Sequence, residues 1–232
     1  MAIKKHIPNT LTCLNLFSGC VGLVLAFENH LILAAYAIVI AAIFDFFDGM
    51  VARLLKAYSD IGKELDSLAD MVSFGVLPSV IIFQLFKTNT HINFYLPYAA
   101  FLIAVFSALR LAKFNIDTRQ TENFIGLPTP ANALLIGSLP LILNGNSVML
   151  FEIILNPYIL LAFTIIMSLL LVAEIPLLSL KFQNLAFGEN RFRYLLIILS
   201  IILLVFFNFT AIPIIIFNYI LLSIIQNSIQ TK

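Results

Sequence analysis

Charged residues are scarce in this 232-residue sequence. Asp, Glu, Lys and Arg together make up 11% of it, whereas a typical soluble domain contains about 25%. Hydrophobic residues make up 61%. So few charges cannot cover a surface that faces water, which excludes an ordinary soluble fold. The composition therefore predicts a lipid-facing surface and a single integral membrane domain over residues 1–232.

Cysteine is also rare, and tryptophan is absent. The two cysteines, Cys13 and Cys20, both lie in the first apolar segment. About two helical turns separate them, which is too far for a disulfide. No CxxC or Cys/His spacing is present, which argues against a structural zinc site. The net charge of +1 gives no indication of a nucleic-acid partner, and we expect none.

Long apolar segments fill most of the chain. A membrane-spanning helix needs about 20 largely apolar residues, and eight segments meet this requirement. The fifth is the weakest because it contains three prolines. The segments cover residues 11–27, 31–52, 67–86, 94–113, 126–143, 155–175, 192–208 and 211–228. The predicted fold is an all-α polytopic bundle of about eight transmembrane helices, with six or seven as the alternative.

The basic residues sort to one side under this topology. Cytoplasmic loops of membrane proteins are enriched in Lys and Arg. With eight spans and a cytoplasmic N-terminus, twelve of the thirteen basic residues fall on the cytoplasmic side, and only Lys87 falls on the other. A wrong number of spans would scramble this sorting. The charges therefore favour both termini in the cytoplasm and a multi-pass protein in the cytoplasmic (inner) membrane.

Four aspartates interrupt the apolar pattern. Asp45 and Asp48 lie three residues apart near the end of the second span, and Asp66 and Asp70 lie four apart around the start of the third. At these spacings each pair shares one helix face. The link between the spans is short, so the helices are antiparallel neighbours. We therefore expect all four acids to converge at the cytoplasmic edge of the bilayer.

Such a cluster needs positive charge. One Asp at the centre of a membrane helix costs roughly 2.5–3.5 kcal/mol on insertion scales, and Arg53 supplies one positive charge nearby. Lys56 and Lys63 can reach water instead. Carboxylate oxygens suit Mg²⁺, Mn²⁺ or Ca²⁺ rather than zinc, and two such ions can hold the attacking and leaving oxygens of a displacement at phosphorus. The alternative is an interfacial loop whose acids face water.

The spacing of these residues resembles a family signature. The pattern Asp-x2-Asp-Gly-x2-Ala-Arg-x8-Gly-x3-Asp-x3-Asp, residues 45–70, is similar at all eight fixed positions to that of the CDP-alcohol phosphatidyltransferases. The resemblance implies that an alcohol attacks the β-phosphate of a CDP-linked lipid and that CMP leaves. It implies that Asp45, Asp48, Asp66 and Asp70 bind two divalent cations, and that Asp70 takes the proton of the alcohol.

Further residues are expected to contact the CDP-linked lipid. Gly49, Ala52 and Arg53 belong to the signature, and the resemblance implies that they line the cytidine diphosphate. Gly62, also in the signature, would permit a tight bend before the third span. Near the start of the first span, Asn9 and Thr12 are candidates to donate hydrogen bonds to the diphosphate or to metal-bound water. For Asn9, a helix cap is an equally good interpretation.

Three other stretches, residues 8–15, 108–115 and 124–130, resemble the phosphatidylserine synthase branch of the family. This resemblance implies CDP-diacylglycerol and L-serine as substrates, and a homodimer embedded in membrane lipid. Serine carries a carboxylate, which calls for a cation, and Arg forms bidentate pairs with carboxylates. Arg110 is the expected anchor, with Lys113, Asn115 and Ser73 as weaker candidates. A determinant of topology is an equally good interpretation of Arg110.

Two alternatives stay open. The same chemistry can use glycerol-3-phosphate or an inositol phosphate as the alcohol, although a phosphate group needs a denser set of cations. A transporter of divalent cations, or one coupled to protons, would place the same acids on a transport path. Transport sites usually lie near the bilayer midplane between inverted repeats, and no repeat is evident in this sequence.

Overall fold

The computed structural model describes residues 2–89, 93–116, 124–145, 147–178 and 186–230, and these are almost entirely helical. The helices are α1 (Ala2–Phe27), α2 (Leu31–Leu55), α3 (Asp60–Asp70), α4 (Leu77–Lys87), α5 (Leu102–Ile116), α6 (Thr129–Leu143), α7 (Val148–Leu155), α8 (Pro157–Val172), α9 (Phe187–Phe207) and α10 (Ala211–Gln230). Short 3₁₀ turns precede α5 at Leu96–Phe101 and α10 at Asn208–Thr210. The strands β1 (Phe124–Ile125) and β2 (Pro176–Leu177) form one small antiparallel pair.

Within these residues, five helical stretches are long and apolar enough to cross a membrane. They are His6–Phe27, Leu31–Leu55, Asp60–Lys87, Leu96–Ile116 and Asn190–Ile229. The helices α7 and α8 meet the same criterion only as a pair that bends by 67°, which would give a sixth span. The prediction of a helical protein with several membrane spans is confirmed. Eight spans and cytoplasmic termini stay predictions.

The fifth predicted span, residues 126–143, forms the short helix α6. It has 15 residues, which at 1.5 Å per residue gives about 22 Å, less than the roughly 30 Å of a hydrocarbon core. Pro128 lies just before its first residue, and most of its side chains are buried. The helix therefore packs inside the bundle, against α2, α4 and α10.

The seventh and eighth predicted spans fall in one helical stretch interrupted by the turn Asn208–Thr210. The helices α9 and α10 pack against each other, and Leu196 and Tyr219 belong to one buried cluster. A straight helix would separate these two residues by about 34 Å. Asn208 has a φ of 49°, which breaks the helix, so the chain reverses direction at this turn.

The main core lies between α1, α2, α4, α5 and α6. Phe74, Phe86, Ile81, Ile103 and Ile136 are fully buried there. Because lipid is as apolar as these side chains, their burial stabilises the bundle through close packing rather than through removal from water. The core thus holds in place the helices that carry the acids.

A π-helical turn, Met71–Val76, joins α3 to α4 directly after Asp70. The amide of Leu77 donates to the carbonyl of Val72, five residues back. Pro78 follows and has no amide hydrogen to donate, so a regular helix could not continue through this point unchanged. Wide turns of this kind are frequent at functional sites.

Glycines in α1 allow a close approach to this turn and to α2. A Cβ on Gly19 would lie 2.9 Å from the Cα of Ser73, and a Cβ on Gly22 would lie 2.9 Å from the Cβ of Ala37. Small residues are common where membrane helices come this close. The contact fixes the distance between α1 and the helix that carries Asp70.

We expect Gly19→Val to destabilise the bundle. The new side chain would collide with the backbone of Ser73, and overpacking of this kind costs about 1–3 kcal/mol. The midpoint of thermal unfolding in detergent should fall by several degrees. The matched control is Gly188→Ala, because a Cβ on Gly188 meets no atom within 4 Å. An unchanged midpoint for Gly19→Val would contradict the close packing.

Candidate metal and phosphate site

The four aspartates lie on two helices that meet at one end of the bundle. Asp45 and Asp48 belong to α2, and Asp66 and Asp70 belong to α3. Carboxylate oxygens of Asp45, Asp48 and Asp66 lie within 4.8 Å of one another. The charges of Asp45 and Asp66 also act on Asp70. The structure therefore brings together the acids that the sequence pattern selects.

The turn between α2 and α3 explains this convergence. Only four residues separate the two helices. Lys56 ends α2 in the left-handed conformation, with a φ of 50°, and its amide donates to the carbonyl of Arg53 at 3.2 Å. Ser59 begins α3, where its hydroxyl accepts a hydrogen bond from the amide of Gly62 at 3.1 Å. A turn this short sets both acid pairs at one level, and α1 packs against both helices.

Helix α1 supplies polar partners to the acids. The hydroxyl of Thr12 donates to Asp48 at 2.7 Å, and the side-chain amide of Asn15 donates to Asp70 at 3.3 Å. The hydroxyl of Ser73 donates to the backbone carbonyl of Asn15 at 3.0 Å. All five residues are buried. These bonds orient two of the carboxylates without neutralising them.

Asn15 is a site residue that the sequence analysis missed. Its amide is completely buried, and its Oδ1 has no hydrogen-bond partner within the described part of the chain. The available signal was its spacing, since Asn15 follows Thr12 by three residues and so shares its helix face. A polar residue on that face of an apolar helix needs a partner, and Asp70 is that partner.

The charges in the cluster require a cation. At an effective dielectric constant near 20, two unit charges about 4 Å apart repel by about 4 kcal/mol. The charge of Arg110 acts on Asp70. Asp66 Oδ1 is buried and has no hydrogen-bond partner among the residues described. A set of carboxylate oxygens matches the ligands of Mg²⁺, Mn²⁺ or Ca²⁺, so the cluster fits a divalent-metal site.

A cleft of about 220 Å³ lies beside Asp48 and Asp66. Its lining includes five of the six residues predicted to contact the CDP-linked lipid, namely Asn9, Thr12, Gly49, Ala52 and Gly62. A Cβ on Gly49 would meet no atom within 4 Å. The helix surface at this position is therefore open to a molecule bound in the cleft.

Arg53, the sixth predicted residue, is not among the residues that line this cleft. Its side chain is exposed and folds back on its own helix, where Nε donates to the carbonyl of Gly49 at 2.9 Å. Lys63 contributes a positive charge to the cleft lining instead. Its Nζ donates to the carbonyl of Asn115 at 2.8 Å, which holds the amine beside the cleft although the side chain is largely exposed.

The residues predicted to contact serine lie in different environments. Arg110 is only 7% exposed, and its guanidinium lies 5.9 Å from the ring centre of Phe114. Lys113 is exposed on the surface of α5. Asn115 donates to Ser67 Oγ at 2.9 Å, and Ser73 is bonded to Asn15. Of the four, Arg110 is the buried cation whose charge reaches Asp70.

Comparison with known proteins identifies relatives along most of the chain. A CDP-diacylglycerol–serine O-phosphatidyltransferase of Helicobacter pylori is 32% identical over 211 residues, covering 84% of this chain and 80% of that protein. One of the same name from Methanocaldococcus jannaschii is 39% identical over 130 residues, covering 56% of this chain and 58% of that protein. An archaetidylserine synthase of Methanothermobacter thermautotrophicus is 36% identical over 134 residues, covering 57% of this chain and 56% of that protein.

A family model described as CDP-alcohol phosphatidyltransferase matches residues 5–175. The matched region contains the whole acid cluster, the cleft beside it and the polar face of α1. It extends from the first turns of α1 to the residues just after α8. The chain belongs to the CDP-alcohol phosphatidyltransferase family.

Proposed function

We propose that this chain is a phosphatidylserine synthase. It transfers the phosphatidyl group of CDP-diacylglycerol to the hydroxyl of L-serine and releases CMP. The observation that carries the proposal is the convergence of Asp45, Asp48 and Asp66, with Asp70 beside them, next to a cleft lined by signature residues. The choice of serine is supported by the names of the similar proteins.

The four aspartates would hold two divalent cations, Mg²⁺ or Mn²⁺, with Ca²⁺ as a further option. When bound, such ions polarise a phosphate and stabilise the charge on the leaving oxygen. Thr12 and Asn15 keep the carboxylates of Asp48 and Asp70 in one orientation through their hydrogen bonds. The cleft receives the cytidine diphosphate, with Lys63 near its phosphates and Gly49 leaving room along α2.

Asp70 takes the proton of the serine hydroxyl. The bond from Asn15 occupies one of its oxygens and so fixes the carboxylate for this role. The serine oxygen attacks the β-phosphorus as its proton passes to Asp70. The bond from that phosphorus to the oxygen of CMP breaks, and CMP leaves with the electron pair. Arg110 binds the serine carboxylate, because it is a buried guanidinium whose charge reaches Asp70.

The proposal includes an orientation in the membrane. We place residues 1–232 in one domain with eight spans, and both termini and the acids on the cytoplasmic side of the inner membrane. The sorting of basic residues supports this side. The lipid tails of the substrate would lie along exposed apolar side chains of α2 next to the acids, such as Phe46 and Phe47. By resemblance to the family, the protein would act as a homodimer.

The purified protein should release CMP from CDP-diacylglycerol only when L-serine and a divalent cation are both present. Radiolabelled serine should appear in lipid, chelation should stop the reaction, and Mg²⁺ or Mn²⁺ should restore it. The same assay with glycerol-3-phosphate or an inositol phosphate tests the other acceptors. Release of CMP with glycerol-3-phosphate and none with serine would overturn the serine assignment. Metal flux into liposomes without any lipid substrate would instead support a transporter.

Asp66→Asn should lower turnover by about 100-fold or more, because loss of even a residue that supports a metal ligand often costs 10–100-fold. It should also weaken Mn²⁺ binding, measured by calorimetry or electron paramagnetic resonance, without lowering the unfolding midpoint. The matched control is Asp60→Asn, since Asp60 is an exposed acid in the first turn of α3. Nearly full activity of the Asp66→Asn protein would rule out the proposed metal site.

A further inference from the structure

Two pairs of buried polar side chains lie outside the cleft, on the two helices that pack against the π-helical turn after Asp70. Ser107 and Arg110 lie three residues apart on α5, and Thr129 and Asn132 lie three apart on α6, so each pair shares a helix face. Ser107, Thr129 and Asn132 are 0% exposed and Arg110 is 7% exposed. We refer to these four residues as the α5–α6 polar group.

Each member of the α5–α6 polar group has polar atoms left unpaired. Ser107 Oγ, Arg110 Nε, Thr129 Oγ1 and both amide atoms of Asn132 lack a hydrogen-bond partner in the described ranges. The other buried hydroxyls of the described residues have partners, and most of them bond to their own helix. Thr164, for example, donates to the carbonyl of Leu160 at 2.7 Å. A buried polar atom without a partner is costly, and these five atoms lie on the two helices that pack against the turn after Asp70.

The π-helical turn after Asp70 connects this group to the acids. That turn packs against both α5 and α6, and a Cβ on Gly75 would lie 3.1 Å from Ser107 Cβ. On α6, Asn132 lies one helical turn before Ile136, which packs in the same core cluster as Phe74 of the π-helical turn. The charge of Arg110 acts on Asp70 itself. Both helices that carry the unpaired atoms therefore pack against the turn that follows Asp70.

We infer that the α5–α6 polar group binds the α-carboxylate and the α-ammonium of the acceptor alcohol, and that Thr129 and Asn132 recognise the amino acid together with Arg110. The inference rests on the proposed function and extends it. Asn132 Nδ2 and Arg110 Nε are donors that suit the carboxylate. Asn132 Oδ1 and the hydroxyl oxygens of Thr129 and Ser107 are acceptors that suit the ammonium. The hydroxymethyl group of serine is then directed to Asp70.

The charge of the group determines the class of ligand. It combines one guanidinium with neutral amide and hydroxyl groups, which matches a zwitterion whose own charges cancel. An alcohol that carries a phosphate has about two negative charges and would need further cations. An alcohol with an ammonium alone would leave Arg110 unpaired. The polar group is therefore suited to a small hydroxy amino acid.

The test compares two buried substitutions of similar size in the purified enzyme. Asn132→Leu removes both amide atoms, and we expect the KM for L-serine to rise by about tenfold or more. Thr129→Val removes one hydroxyl and should raise it by roughly threefold to tenfold. The KM for CDP-diacylglycerol should change by less than about twofold in both, because its headgroup lies in the cleft. Thr164→Val, which removes a hydroxyl bonded to its own helix, should leave both constants unchanged.

Acceptor analogues give a measurement that a merely structural role would not affect. Ethanolamine lacks the carboxylate and 3-hydroxypropionate lacks the ammonium. With the unmodified protein, we expect each to support CMP release with a kcat/KM below about 1% of that for serine, because the unmatched buried groups reject it. In Asn132→Leu the preference for serine over both analogues should shrink by about tenfold or more.

The outcomes separate this inference from the proposed function. If the unmodified protein uses serine but Asn132→Leu and Thr129→Val keep its serine KM, the α5–α6 polar group is not the acceptor site, although the proposed function stands. Equal changes in the KM values of both substrates would also overturn it. If the unmodified protein releases no CMP with serine, the proposed function fails and the inference fails with it. If the Asn132→Leu protein does not accumulate in a folded form, the KM values of the Thr129→Val protein test the inference by the same criteria.

Discussion

Repulsion among four carboxylates at the ends of two membrane helices is the constraint on which the rest of the site depends. The short turn between α2 and α3 forces the acids together, and Asp66 keeps a buried oxygen without a partner among the described residues. Hydrogen bonds from Thr12 and Asn15 orient the acids but bring no charge. The cluster therefore favours cations with several open coordination positions, and a phosphate-bearing substrate can complete them.

The sequence predicted the acid cluster because two simple regularities define it. Helical spacing puts each pair on one face, and a short connection makes the two helices neighbours. Asn15, Thr129 and Asn132 escaped because their importance depends on how α1 and α6 pack against the helix of Asp70. These segments are apolar on nearly every side, so periodicity does not show which face meets which neighbour. Arg53 shows the opposite error. Its place in the signature predicted a contact with the cytidine diphosphate, whereas its side chain folds back on α2 and bonds to the carbonyl of Gly49.

The helical fold was predictable to a similar extent. Apolar length identified α1, α2 and the two stretches Asp60–Lys87 and Leu96–Ile116, with the ends correct to within about three residues. The first and third of these helices begin well before the predicted residues 11 and 67, at Ala2 and Asp60. It measures composition alone, so it cannot tell a span that faces lipid from a short helix that neighbouring helices surround. The region of α6 shows this limit, since its 15 residues are apolar because protein surrounds them. The sixth predicted span, residues 155–175, falls on α8, and the prediction missed α7, which meets α8 at a bend of 67°.

The proposed sites differ in their access to water for a chemical reason. The cleft between α1, α2 and α3 is lined by exposed Lys63 and open at Gly49, as suits a charged nucleotide that must enter and leave. The α5–α6 polar group is buried. Water is itself an acceptor that would hydrolyse the lipid substrate, so an acceptor site should exclude water until an alcohol fills it. The π-helical turn after Asp70 packs against α1, which lines the cleft, and also against α5 and α6, which carry the polar group. In the proposed mechanism, Asp70 would take the proton of an alcohol held in a buried site, while the phosphate that the alcohol attacks would stay in the cleft, which is open to water.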